Sequence, residues 1–345
     1  MKRFVKLFVL LALILVPLLA ACASNDTSDD AGDTGDTGDA ENTENTGDSV
    51  DSGDSGDSAE KYKVGILAPA VTHGWVAAVA YHAESRAEEL SDTIDYQIHT
   101  SSDASEMTAQ LDDLITWGAE AIVAFPQWEG MEVPIQRALD EGIEVVNFDI
   151  AIDVDGVYRV AGDNYDMGVQ GANYIVDKIG TEGEVVILEV PSAGSVSELR
   201  KGGFLDTIEE IAPDMNLHTF ATQFTREDGL TDFADILTSM DHIDAVLSLD
   251  DETSVGVLQA INEAGRTDIQ VVTGGGGMQE YFKMMPENED IWIQSALYSP
   301  AMVKDAVDIA VDLLEGEEVA EETVIPTTIV DRDNYEEFLD DGSPY

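Results

Sequence analysis

From Lys61 onward, short runs rich in β-branched residues alternate with longer amphipathic stretches, and this alternation leaves the chain very few architectures. Strands are predicted at 62–68, 96–99, 121–125, 144–148, 157–161, 184–190, 217–222, 245–249, 269–273, 291–296 and 323–329. Helices are predicted at 76–90, 105–117, 134–141, 167–178, 197–211, 229–240, 253–263 and 302–314. A parallel strand is reached only through a crossover, so such an order means α/β, with doubly wound parallel sheets covered on both faces. Ligands of such sheets bind beyond the carboxyl ends of the strands. A length of 345 residues suits two lobes better than one.

The segment before Lys61 cannot join that core. Lys2, Arg3 and Lys6 precede an apolar run from Leu7 to Leu19, with small residues Ala20 and Ala21 just before Cys22, the pattern of a secretory signal peptide over residues 1–21. Leu19-Ala20-Ala21-Cys22 also resembles a bacterial lipobox, which implies acylation of Cys22 and a lipid anchor on the extracytoplasmic face of the cell membrane. As the only cysteine, Cys22 allows no internal disulfide. Residues 22–60 then read as an acidic, disordered tether of Ser, Asn, Asp, Thr and Gly. Its Asp repeats lack the spacing and closing Glu of an EF-hand loop.

Charge excludes one broad class of partner. Against 71 acidic residues stand 16 basic ones, a net −55. Residues 23–60 hold 13 of the acidic residues, and three basic residues precede Cys22, so the folded part is itself near −45. Such a surface repels a polyanion, and no nucleic-acid partner is expected. The same acidity suits life in high salt, where it is screened, or an alkaline habitat.

The strand ends carry a recognisable order of motifs. They are Lys63-Val-Gly-Ile-Leu-Ala-Pro69 with His73-Gly74-Trp75, Gly118-Ala-Glu-Ala-Ile-Val123, Gly142-Ile-Glu-Val-Val-Asn-Phe-Asp149 and Ala161-Gly-Asp-Asn-Tyr-Asp-Met-Gly168. Arg200-Lys-Gly-Gly-Phe204, Phe224-Thr-Arg-Glu-Asp-Gly-Leu230, Leu249-Asp-Asp-Glu252 and Gly256-Val-Leu-Gln-Ala-Ile261 follow. Each motif alone is weak, but the ordered set resembles the class I periplasmic sugar-binding proteins, the ribose- and galactose-type solute receptors of ABC transporters. The resemblance implies a three-stranded hinge, with crossings near Asp163, Leu297 and Pro326. One lobe would comprise 61–163 and 297–325, the other 164–296 and 326–345. A monomer is expected, without cofactor or metal, that closes on a sugar, polyol or modified sugar and delivers it to an ABC permease. A sensory receptor that presents its ligand to a membrane kinase or chemoreceptor would read alike.

The resemblance also assigns the site. His73 and Trp75 fall at the first strand end, where the family has an aromatic that stacks on the sugar. Trp75 could equally be a core aromatic, and His73 a loop or capping residue. Asp149 falls on the family's hydroxyl-accepting Asp, and a turn cap is its plain alternative. Arg200 falls on the ligand-binding Arg, whose fork of donors suits adjacent hydroxyls; a surface ion pair with Glu198 is the alternative. Phe224 matches the second stacking aromatic or is ordinary core. Asp250 matches the Asn or Asp after the eighth strand, which leaves Asp251 to cap the following helix.

Three departures argue against ribose itself: Ile150, Leu297 and the run Gly274 to Gly277 stand where ribose receptors commonly have polar side chains. Trp128, Gln127 or Glu129 is expected to fill the room left. The glycine run reads as a tight strand-to-helix turn, with an anion cradle as the alternative. No catalytic set emerges: the five His lack metal-ligand spacing, there is no Gly-x-Ser-x-Gly elbow, and Asp149 with Asp250 is explained more simply as hydroxyl acceptors than as an acid/base pair.

Overall fold

A computed structural model describes residues 60–70 and 74–345; Cys22, the leader, the tether before Glu60 and His73 lie outside them. No helix among the described residues is long and apolar enough to cross a membrane.

Two six-stranded sheets organise residues 62–331. In chain order the strands are β1 (Tyr62–Pro69), β2 (Ile94–Ser101), β3 (Ala121–Ala124), β4 (Glu144–Phe148), β5 (Tyr158–Gly162), β6 (Glu184–Glu189), β7 (Asn216–Ala221), β8 (Ala245–Leu247), β9 (Val271–Val272), β10 (Trp292–Ala296), β11 (Glu322–Ile325) and β12 (Ile329–Asp331). The first sheet runs β11-β5-β4-β3-β1-β2 and the second β12-β10-β9-β8-β6-β7. Every pairing is parallel except that of β10 with β12.

The helices are α1 (Gly74–Glu89), α2 (Ala104–Trp117), α3 (Glu132–Asp140), α4 (Asn164–Ile179), α5 (Ser195–Ile211), α6 (Arg226–Ser239), α7 (Asp251–Ala264), α8 (Gln279–Met284) and α9 (Val303–Glu315). Side-chain alternation along the strands feeds a core on each face. Val64, Ile66 and Val123 pack with Val76 and Val79 of α1 and Val307 of α9. Leu67 and Ile122 point the other way, onto Met107 and Leu111 of α2 and Ile135 of α3. In the second sheet Val186 and Leu188 meet α6 and α7, while Val185 and Ile187 meet α4 and α5.

The predicted strand 323–329 is in fact two strands. Pro326, with no N–H to give, interrupts it, so β11 ends in the first sheet and β12 begins in the second, running antiparallel to β10. At that break the chain's three passages between sheets lie side by side. The Asp163 N–H donates to Ile325 O at 3.0 Å, and the Leu297 N–H to Thr328 O at 2.8 Å. Helix α8 carries only six residues, too few to leave a readable periodicity.

Candidate functional site

The parallel strands of each sheet end at one edge, and the two edges meet at Tyr298, just after β10. Its ring abuts the end of β5, where a Cβ on Gly162 would stand 2.4 Å from it. Its hydroxyl donates to Asp149 Oδ1 and accepts from Asn164 Nδ2 at 3.3 Å. Its backbone oxygen accepts the Trp75 indole N–H at 2.8 Å. Half-buried Trp75 in turn stacks on Phe148, with 6.2 Å between centroids and 12° between planes, and meets Phe125 edge-on at 6.0 Å. One face of Trp75 is therefore core, the plainer of the two readings made of it.

Asp149 follows β4 with φ at 68°, a left-handed conformation uncommon outside glycine. Neighbouring strands hold it there. Its N–H donates to Val160 O at 2.8 Å, and Arg159 donates to its carbonyl oxygen through Nε at 3.1 Å and Nη2 at 2.7 Å. The turn drives the carboxyl inward, where it is 7% exposed. Burial pushes its pKa up, against the pull of the Tyr298 hydroxyl and the guanidinium groups of Arg200 and Arg159.

Arg200 comes from the second turn of α5. That helix closes on α4 through two glycines: a Cβ on Gly168 would lie 1.9 Å from Arg200 O, and one on Gly203 2.0 Å from Tyr165 O. Far from a surface ion pair with Glu198, Arg200 is buried and pairs with no carboxylate among the described residues. Nε donates to Asn164 Oδ1 at 2.8 Å and Nη1 to Leu249 O at 2.7 Å. The guanidinium lies 4.9 Å above the Tyr298 ring and 5.9 Å from that of Phe224, which is half-buried against the α4–α5 core.

Of the two acids after β8, it is Asp250 and not Asp251 that caps the following helix. Asp250 caps α7, accepting the Thr253 N–H at 3.1 Å, and is 8% exposed. Burial raises its pKa to about 7, helped by Asp251 and opposed by Thr253 and Arg200. Asp251 is fully buried, with its pKa raised to about 6 by burial. Its Oδ2 accepts the N–H groups of Gly277 and Met278, each at 2.9 Å, and the Ser295 hydroxyl at 2.8 Å.

Those bonds decide the glycine run. With the Gly276 N–H on Ala296 O at 3.1 Å, three successive donors are internally satisfied, so the run is a tight turn and not an anion cradle. Trp128 does not fill the room it leaves. It packs, half-buried, against the α2–α3 core, and the space beside Gly276 is taken by Tyr345. Asp149, Arg200 and Trp75 thus gather round Tyr298, which lies in none of the strand-end motifs, and Asn164, which the Ala161–Gly168 motif contains without a role, with Asp250 and Phe224 flanking Arg200. A buried guanidinium, carboxyl acceptors and aromatic faces together suit a neutral polyhydroxylated molecule.

Comparison with known proteins gives this arrangement its context. Residues 64–318 match the model of a periplasmic binding protein domain. A xylitol-binding protein of Mycolicibacterium smegmatis is 27% identical over 67% of this chain and 67% of its own length. A ribose import binding protein of Bacillus subtilis is 31% identical over 64% of this chain and 72% of its own. The crystal structure of an ABC transporter periplasmic solute-binding protein from Actinobacillus succinogenes, with bound D-allose, superposes with a TM-score of 0.73 at 20% identity, covering 80% of this chain and all of that one. The chain therefore belongs to the periplasmic binding protein family, among the class I sugar-binding proteins of ABC transporters.

Proposed function

We propose that this protein is an extracytoplasmic solute-binding lipoprotein that captures one small sugar or polyol between its two lobes and delivers it to an ABC permease. The observation that carries this reading is Arg200, buried with no carboxylate partner among the described residues, beside the Asp149–Tyr298 pair where the two sheets end. A buried charge held only by neutral acceptors has hydrogen-bonding capacity to offer, and hydroxyl oxygens satisfy it without a second ionic desolvation. Trp75, Phe224 and Tyr298 supply faces for the C–H side of a sugar ring. Ligand contact with both lobes favours the closed form through differential affinity, and a permease that reads closure takes delivery only of loaded protein. The relatives support the ligand class: one is named for xylitol, another for ribose, and D-allose occupies a third. The lobes are read as 61–163 with 297–325 and 164–296 with 326–345, acting as a monomer. Acylated Cys22 and the acidic stretch after it serve as anchor and tether.

A thermal-shift screen of the full chain against pentoses, hexoses, polyols and inositols tests this. A ligand at a hundred times its Kd adds about 2.7 kcal/mol, which raises the midpoint by several degrees. No shift with any member of these classes would contradict the proposal.

A further inference from the structure

Tyr345 lies between the lobes. A Cβ on Gly74, at the start of α1, would stand 2.9 Å from its ring, and one on Gly276, in the turn after β9, would stand 2.8 Å from its hydroxyl oxygen. Gly74 belongs to the first lobe and Gly276 to the second, so glycine on both sides is what admits the ring. The side chain reaches this slot because α8 clamps the segment before it. The Gln279 N–H donates to Tyr345 O at 3.1 Å, Gln279 Nε2 to Phe338 O at 3.2 Å, and the Asp340 N–H to Gln279 Oε1 at 2.7 Å.

Tyr345 is 6% exposed, and its hydroxyl has no hydrogen-bond partner among the described residues. Burial close to Asp250, Asp251 and Glu252 raises its pKa, which keeps the hydroxyl protonated and able to donate. The turn it faces has no side chains of its own, since it is built of Gly274 to Gly277.

We infer that Tyr345 is a ligand-contacting, specificity-determining residue of this cleft, its ring walling the site near Trp75 and its hydroxyl hydrogen-bonding the bound sugar or polyol. The inference rests on the functional reading above. The hydroxyl makes no hydrogen bond to another described residue, so its donor is available to a ligand oxygen in the slot between Gly74 and Gly276. A phenol ring orders little on binding, so it makes an economical wall. Closing this end of the cleft also restricts the ligand to a single ring or a short polyol, because a second sugar unit would meet the ring.

Calorimetric titration of the full chain with D-ribose, D-allose, xylitol, myo-inositol and maltose provides the test, in the native protein and in Tyr345→Phe and Tyr345→Ala. The native protein is expected to bind at least one of the four small probes and to reject maltose. Tyr345→Phe keeps the packing, and loss of the hydroxyl should weaken the best probe roughly three- to ten-fold. Tyr345→Ala should weaken it roughly ten-fold or more and level the ranking among probes. Unchanged affinity and ranking in both variants would overturn the inference alone, as would tighter binding by Tyr345→Ala, which would show a ring that competes with ligand. Should Tyr345→Ala fail to fold, Tyr345→Phe decides. Failure of the native protein to bind any probe would overturn the functional reading and this inference together.

Discussion

Asp250 serves two ends, as the cap of α7 and as a buried carboxyl near Arg200, and its raised pKa of about 7 makes the second testable. A carboxyl raised by folding binds protons more readily in the native state. Its stability contribution therefore grows as pH falls from about 7 toward the ordinary carboxylate range, and is lost as pH rises through about 7. Ligand binding should run the other way, because hydroxyl donors favour the ionised form and pull the pKa down. Affinity is then highest above pH 7 and falls on acidification, with protons released on binding near neutrality. Calorimetry in two buffers of different ionisation enthalpy measures that release. Asp250→Asn, which still caps a helix, should reduce it; undiminished release would locate the proton elsewhere. Asp149 stands out in the sequence as a charge that ends an apolar run, whereas Arg200 and Asp250 are picked out only through the family resemblance. Tyr298 and the role of Asn164 were not legible, because both depend on partners far along the chain: Tyr298 reaches Asp149 across 149 residues, and Asn164 meets Arg200 across 36. Tyr345 acquires its role only through glycines in two separate lobes.

At the scale of elements, strand and helix order was readable because period-two and period-3.6 patterns are local. Lengths and sheet membership were less so. The β-branched run over 323–329 is broken at Pro326 alone, the one local mark that its halves pair in different sheets. The contact between α4 and α5 depends on Gly203, whereas its neighbour Gly202 has nothing within 4 Å of where a Cβ would stand. Gly203→Ala should force the helices apart, lower stability by roughly 1–3 kcal/mol and shift Arg200 enough to weaken binding. Gly202→Ala should be neutral or stabilising by up to about 1 kcal/mol, as expected of Gly→Ala inside a helix. Thermal melts of the pair provide the check, and equal effects would mean that the close approach is not what seats Arg200.

For the molecule as a whole, two sheets joined by three adjacent crossings leave one set of strand ends facing another, and the buried charges collect there. A residue kept for stability and one kept for ligand respond differently when the charge is removed. Arg200 shows the contrast most sharply: an apolar replacement takes a donor from Asn164 Oδ1 and Leu249 O, a modest cost to the empty protein, while the ligand loses its charged donor. The most direct measurement is therefore a calorimetric titration of native protein and Arg200→Leu with the best ligand from the thermal screen, alongside the melting midpoint of each protein without ligand. The account predicts a loss of affinity of about ten- to a hundred-fold in a protein that still folds, its ligand-free midpoint lowered by no more than several degrees. A ligand-free protein that unfolds while the surviving fraction keeps native affinity would contradict it, and Arg200 would then be part of the scaffold.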